Sequence, residues 1–243
     1  MSLDAAHLPA YTPTEKLAVP RPVDRIPYLR ATVAGKRVLD LGAMDETAYQ
    51  AKRGQGTWLH EELSHAAAEV LGVDTSPEVP ADGLVTGARS RIIRGDISSL
   101  AGILAETGFD PEVIVAGELI EHLDNPLAFL RSLRALPALY GKRLLLTTPN
   151  ASALHNGLVG MLGRESTHHD HLCILSYKTL CTLCHRAGFT RWDIIPYYSR
   201  FTEMKARNPG VRGWLVSLGE SGINAGEWLC PLLSFGYVVA VDI

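Results

Sequence analysis

The sequence has few cysteines, no excess of basic charge and no long apolar run, and each shortage argues against a class of protein. Four cysteines in 243 residues, with a single C-x-x-C pair at Cys181 and Cys184, favour buried reduced thiols over a zinc site or redox chemistry. A net charge of −3 is unlike a protein that binds nucleic acid through many phosphate contacts. No run of about 18 apolar residues predicts a membrane span. We therefore expect neither nucleic acid nor membrane as a partner.

The first part of the chain is rich in proline and poor in apolar runs. Residues 1–34 contain Pro9, Pro13, Pro20, Pro22 and Pro27, which predicts an extended arm that caps the rest of the chain. The arm lacks the apolar core of a secretory signal, so a cytoplasmic location is expected.

After Gly35 the pattern alternates between strands and helices. Seven strands are predicted, at RVLDL, VLGVD, RIIRGD, EVIVAG, RLLLTTP, RWDIIPYY and FGYVVAVDI. Between them lie helical patterns, one with Thr57 placed as its cap and one between Ser176 and Gly188. Such alternation predicts an α/β fold: a doubly wound, mostly parallel, seven-stranded sheet with helices on both faces. Residues 35–243 then form one domain, with an insertion at 200–234 that fits no simple element.

Acidic residues follow the first four predicted strands. Asp40 precedes Gly42 at the end of the first, Asp74 ends the second, Asp96 the third, and Gly117-Glu118 the fourth. Ligands bind at the carboxyl ends of strands in such sheets. A carboxylate in the position of Asp74 can accept both hydroxyls of a ribose, and one in the position of Asp96 can accept an adenine amino group.

The same acids argue against a dinucleotide cofactor. NAD sites use G-x-G-x-x-G to bring backbone amides to a pyrophosphate, with an acid about 20 residues later. Here Gly42 stands alone, and Asp74 lies 32 residues beyond it. Several carboxylates would also face the phosphates. They suit a cofactor that carries a sulfonium and an ammonium, so an NAD-dependent enzyme is disfavoured.

The motifs GKRVLDLG, LGVDTS, RGDI, EVIVAGELIEHLDNPLAFLRSL, RLLLTTPN and LSYKTLCTLCHRAGF occur in an order that resembles the class I S-adenosylmethionine-dependent methyltransferases. They are most similar to the small-molecule group that includes the ubiquinone-biosynthesis-type O-methyltransferases. The resemblance implies a Rossmann-like fold, S-adenosylmethionine as cofactor and methyl transfer to an oxygen or nitrogen of a small molecule. The alternative is a cofactor-binding or regulatory domain without transferase activity.

The resemblance also implies roles for the residues at the strand ends. Asp40 and Gly42 hold the methionine end of the cofactor, and Asp74 takes the ribose. By the same resemblance, Asp96 and Ile97 bind the adenine. Gly117 and Glu118 line the pocket wall near the methyl group.

The first of these motifs departs from the family pattern. The family usually has G-x-G-x-G, whereas this chain has Gly42-Ala43-Met44 and then a loop from Asp45 to Thr57. A single glycine that allows close approach of the backbone can suffice, because no phosphate has to be bound. The loop is predicted to close over the methionine end of the cofactor.

The acceptor side is predicted from histidines. His122, four residues after Glu118, is the candidate general base, and its alternative is a supporting histidine that touches no substrate. The segment His168–His171 is predicted as a lid, with His171 catalytic and His168, His169 and Glu118 contacting the acceptor. His168, His169, Asp170 and His171 could bind a metal together with Glu118 and Glu121, but no metal is expected, because neighbouring histidines point in different directions. Arg25 is the candidate partner for the cofactor carboxylate, and a homodimer is left open beside a monomer.

Overall fold

The structure is a computed structural model that describes residues 3–4, 14–45, 49–53 and 56–243. One nine-stranded sheet organises these residues, in the order β1-β8-β9-β7-β6-β2-β3-β5-β4. The strands are β1 Leu3–Asp4, β2 Arg37–Leu41, β3 Glu69–Asp74, β4 Leu84–Gly87, β5 Ser90–Arg94, β6 Val113–Gly117, β7 Arg143–Pro149, β8 Arg191–Tyr197 and β9 Gly236–Asp242.

The centre of the sheet is parallel and its periphery is antiparallel. The five strands β5, β3, β2, β6 and β7 pair in parallel. Strand β9 runs antiparallel between β7 and β8, and the short strands β1 and β4 add to the two edges antiparallel. The strand order reverses at β2, so the crevice between the ends of β2 and β6 is where a ligand is expected.

Helices cover both faces of the sheet. They are α1 Arg25–Val33, α2 Tyr49–Lys52, α3 Leu59–Ser64, α4 Leu100–Thr107, α5 Pro126–Ala135, α6 Leu154–Met161, α7 Tyr177–Ala187, α8 Thr202–Arg207 and α9 Val211–Leu229. Neighbouring residues of β2 enter different apolar cores: Leu39 and Leu41 pack under α4, α5 and α7, and Val38 packs against α1 and α3. Burial on both faces explains the continuous apolar strands. Among the described residues, no helix has both the length and the apolar character needed to cross a bilayer.

The predicted fold class is confirmed, with differences in detail. All seven predicted strands are present, and β1 and β4 are additional. Ser176 begins α7 with a capping box, and Gly188 ends it in a left-handed conformation, as predicted. The predicted cap at Thr57 is wrong, because Trp58 precedes α3 and no side chain caps that helix.

The arm and the insertion both contribute regular structure. Helix α1 buries Leu29 and Val33 against α3, so the described part of the arm belongs to the core. The insertion consists mainly of α8 and α9, where no element was predicted. The boundary at residue 34 stays a prediction.

Candidate active site

The predicted site residues converge on one cavity at the carboxyl ends of β2, β3 and β6. This cavity has a volume of about 610 Å³. Nine of the residues singled out in the sequence line it: Arg25, Asp40, Gly42, Asp74, Gly117, Glu118, His122, His168 and His171. Asp96, Ile97 and His169 are not among its lining residues. Asp96 is exposed, and its Oδ1 accepts a hydrogen bond of 2.8 Å from the Ser98 amide, which lowers the pKa of that carboxyl.

A buried histidine, His60, contacts Asp40 and was not predicted from the sequence as a site residue. His60 Nδ1 lies 2.8 Å from Asp40 Oδ2, and both side chains are buried. The other ring nitrogen lies 2.9 Å from Thr86 Oγ1 and 3.0 Å from Ser90 Oγ. The imidazole is therefore fixed at both ends, and it fixes the orientation of the Asp40 carboxylate.

Strand β3 leaves room for this imidazole through a glycine. A Cβ on Gly72 would lie 2.8 Å from Ala43 Cβ and 2.9 Å from His60 Cε1. The glycine thus allows the loop after β2 and the imidazole to pack directly on the strand.

The loop after β2 is ordered by side chains instead of by further glycines. Gly42 has a φ of +71°, a conformation that favours glycine. Ala43 and Met44 are buried, and Trp58 Nε1 donates a hydrogen bond of 3.0 Å to the Ala43 carbonyl. The Met44 amide donates to Asp74 Oδ2 at 2.8 Å. The predicted closure of the following loop stays a prediction, because residues 46–48 and 54–55 lie outside the described part of the chain.

Glu118 lies at the junction of the two halves of the site. Its φ of +52° is unusual for a residue with a side chain and marks strain of the kind found at functional positions. Its Oε1 lies 2.8 Å from Arg25 and accepts a 2.8 Å hydrogen bond from the Tyr197 hydroxyl. Burial and the Glu118 charge raise the pKa of Tyr197, so the phenol stays protonated and donates.

Three histidine rings gather beside Glu118. The ring centroid of His122 lies 4.6 Å from that of His171 and 6.2 Å from that of His168. Burial, followed by the charge of His122, lowers the pKa of His171. Its Nδ1 is buried and has no hydrogen-bond partner among the described residues. These rings can accept protons or bind a cation.

Glu121, an alternative metal ligand in the sequence analysis, lies next to His122 and His171. Its side chain is fully buried, and neither carboxylate oxygen receives a hydrogen bond from the described residues. Burial, and then the charge of Glu118, raise its pKa to about 9. Ligand atoms of Glu121, His122 and His171 all lie within 4.8 Å of one another, a spacing that could hold a metal ion.

We expect Glu121→Gln to stabilise the chelator-treated protein at pH 7. Because the folded pKa of about 9 exceeds the ordinary 4.5, the stability contributed by the protonated acid is complete below pH 4.5 and is lost as pH rises toward 9. Glutamine is neutral throughout, so urea unfolding should show a gain of up to about 3 kcal/mol at pH 7 and a flatter pH dependence. Glu106→Gln, at an exposed position, is the matched control. Equal pH dependence in wild type and Glu121→Gln would contradict the shift.

The strand order, the cavity at the reversal point and the acids at the strand ends match the Rossmann-like class I methyltransferase fold expected from the sequence. A family model described as a methyltransferase domain matches residues 15–194. The chain belongs to this methyltransferase-domain family, which confirms the family predicted from the sequence.

Relatives agree with this assignment. A ubiquinone biosynthesis O-methyltransferase of Xanthomonas oryzae pv. oryzae is 29% identical over 168 residues, which cover 65% of this chain and 64% of that protein. Among solved structures, the small RNA methyltransferase HEN1 has a TM-score of 0.55 at 15% identity, covering 96% of this chain and 27% of the other. A S-adenosylmethionine-dependent methyltransferase from Thermotoga maritima has a TM-score of 0.54 at 13% identity, covering 90% and 88%. These two similarities concern the fold.

Proposed function

We propose that the protein transfers a methyl group from S-adenosylmethionine to an oxygen or nitrogen of a small molecule. The observation that carries the proposal is the convergence of Asp40, Gly42, Asp74 and Gly117 on one cavity at the strand reversal. Its acidic wall suits the positive charges of this cofactor. When bound, the cofactor supplies an electrophilic methyl group whose leaving group needs no acid.

Each part of the cofactor has a proposed partner. Asp40 and Gly42 bind the methionine end, Asp74 the ribose, and Asp96 with Ile97 the adenine. Arg25 binds the carboxylate, since a guanidinium has five donors and the ion pair with Glu118 does not use them all. A Cβ on Gly117 would lie 2.2 Å from Leu59 Cδ2, so the absence of a side chain lets Leu59 pack directly on the strand at this wall.

A second cavity supports a place for the body of the acceptor. It has a volume of about 830 Å³ and shares Arg25, Lys52, Thr57 and Glu118 with the first. Tyr197, Tyr198, Phe201 and Phe235 give it an aromatic lining. An acceptor held there would present its reacting atom near Glu118, where positioning alone can lower the barrier by about 7–11 kcal/mol.

His122 is the proposed general base for a hydroxyl acceptor, with His171 beside it and His168 and His169 contacting the acceptor. The specific observation that favours a second candidate is the set of unpartnered ligand atoms on Glu121 and His171. In that version Glu121, His122 and His171 would hold a divalent cation, which would supply Lewis-acid polarisation of an acceptor oxygen. This ligand set replaces the metal-free prediction, and it keeps Glu121 and His171 from the metal alternative considered for the sequence.

Methyl transfer is tested with a cofactor labelled in its methyl group. Incubation with a panel of small catechols, phenols and amines should move label to at least one acceptor. Binding of the cofactor without transfer to any acceptor, and without release of the demethylated product, would instead support a cofactor-binding domain.

Asp74→Ala should weaken S-adenosylhomocysteine binding by about 1.5–3 kcal/mol, because a charge-assisted hydrogen bond to the ribose is lost. Asp74→Asn keeps one oxygen for the Met44 or Ser76 amide and separates loss of the ribose contact from loosening of the loop. Asp82→Ala, at an exposed position, is the control. Calorimetric titration gives the affinities, and an unchanged affinity in folded Asp74→Ala would show that Asp74 only supports the turn.

A further inference from the structure

Helix α9 is amphipathic in the reverse of the usual sense. Its Glu220 and Glu227 are buried, whereas several of its large apolar residues are exposed. We name these exposed residues the α9 face: Val211 at 75%, Trp214 at 63%, Leu215 at 54%, Leu218 at 57% and Leu229 at 67% relative exposure. Their spacing of three, one, three and eleven residues places them on one side of the helix.

The inward acids explain why the helix lies this way round. Glu220 Oε2 accepts a 2.7 Å hydrogen bond from the Phe201 amide, and Lys205 lies 3.1 Å from its Oε1. Glu227 accepts from the amide and the hydroxyl of Ser199 at 3.0 and 2.6 Å. These bonds fix the rotation of α9 about its axis, because turning the apolar side toward the core would take the carboxylates away from the amides of Ser199 and Phe201 and leave those donors without partners.

The acids of α9 itself do not face outward. Its two acids are Glu220 and Glu227, and both are directed inward. Arg212 is exposed in the first turn of α9, and Arg207 is exposed at the end of α8. Two tryptophans add to the exposed apolar surface: Trp214 is 63% exposed and Trp228 is 49% exposed. An apolar stripe with tryptophan and basic residues, and without an outward acid, is typical of helices that lie in the interface of an anionic membrane.

The size of the α9 face argues against a second copy as its occupant. Nineteen residues give a helix about 28 Å long, and one side of it covers roughly 300 Å². A stable protein interface needs about 800 Å² from each partner. A lipid surface has no such minimum, since its affinity grows with each buried apolar side chain.

We propose that the α9 face binds the surface of a membrane that contains anionic lipids, with the helix lying in the interface. This replaces the sequence-based expectation of no membrane partner, which rested on the lack of a spanning segment. Helix α8 belongs to the same insertion and lines the larger cavity with Met204 and Arg207, so the surface and the cavity are both formed in part by this insertion.

Co-sedimentation of the full chain with vesicles tests the proposal. The protein should bind vesicles of phosphatidylcholine with phosphatidylglycerol, and should bind pure phosphatidylcholine vesicles more weakly. The double substitution Leu215→Ser with Leu218→Ser should lower the partition coefficient about tenfold or more. Arg212→Gln should lower it about fivefold, and Arg212→Lys should retain it.

Val85→Ser is the matched control, because Val85 is 74% exposed on β4. Strand β4 forms the edge of the sheet opposite to β1 and β8. This variant should bind vesicles like the wild type. S-adenosylhomocysteine affinity and thermal midpoint, measured for every variant, verify folding. No binding to anionic vesicles, or binding that the leucine substitutions leave unchanged, would overturn the proposal. So would a dimer in sedimentation velocity that the leucine substitutions convert to monomer, because a second copy would then cover the face.

Discussion

His60→Ala should lower the free energy of unfolding by about 3–5 kcal/mol. The substitution removes the partner of the Asp40 carboxylate, which is 2% exposed, and also the contacts of Thr86 and Ser90 with the ring. The Asp40 carboxylate would stay buried without its hydrogen bond to the imidazole. Urea unfolding at pH 7 gives the difference, and cofactor affinity in the surviving folded fraction should fall as well because Asp40 loses its orientation.

His65→Ala is the matched control for this experiment. His65 directly follows α3, and its side chain is 56% exposed, with Glu62 at 3.6 Å. Its removal should change stability by no more than about 0.5 kcal/mol. If His60→Ala also stays within 1 kcal/mol of the wild type, the buried pair with Asp40 does not organise the site in the way described.

His122→Ala should lower turnover by about 10²–10⁴-fold and leave cofactor affinity nearly unchanged. The ring lies next to His171 in the cavity wall, whereas the described part of the loop after β2 is held by Trp58 and Asp74. Single-turnover methyl transfer measures the chemical step, and calorimetry with S-adenosylhomocysteine measures binding. His185→Ala, an exposed histidine on α7, should behave like the wild type in both.

Chelation separates the two proposed roles of His122. If the imidazole acts as a base without metal, a chelator should leave turnover unchanged. If Glu121, His122 and His171 hold a divalent cation, purified protein should contain a stoichiometric metal, and chelation should abolish turnover. A His122→Ala protein that fails to bind cofactor would contradict both roles and leave the histidine a supporting part of the fold.

The sequence predicts the frame of the site because the frame follows from local patterns. The apolar runs that form β2, β3, β5 and β6 are visible without any tertiary information, and each places its terminal acid or glycine at the same edge of the sheet. Family motifs then supply an order for Asp40, Asp74 and Glu118.

The parts that escaped prediction depend on contacts between distant segments. His60 looks like one more residue of an amphipathic helix until β4 and β5 bring Thr86 and Ser90 to its ring. The insertion at 200–234 gave no helical prediction, because α9 buries carboxylates and exposes leucines. Its rotation is fixed by Ser199 and Phe201 and not by an apolar stripe.

Calorimetric titration with S-adenosylhomocysteine and with NAD tests the central claim most directly, that the cavity at the ends of β2, β3 and β6 binds the methyltransferase cofactor. We expect one S-adenosylhomocysteine to bind per chain, with an affinity that Asp74→Ala weakens and Asp82→Ala does not, and we expect no heat from NAD. Binding of NAD, or no binding of S-adenosylhomocysteine by folded wild-type protein, would contradict the claim.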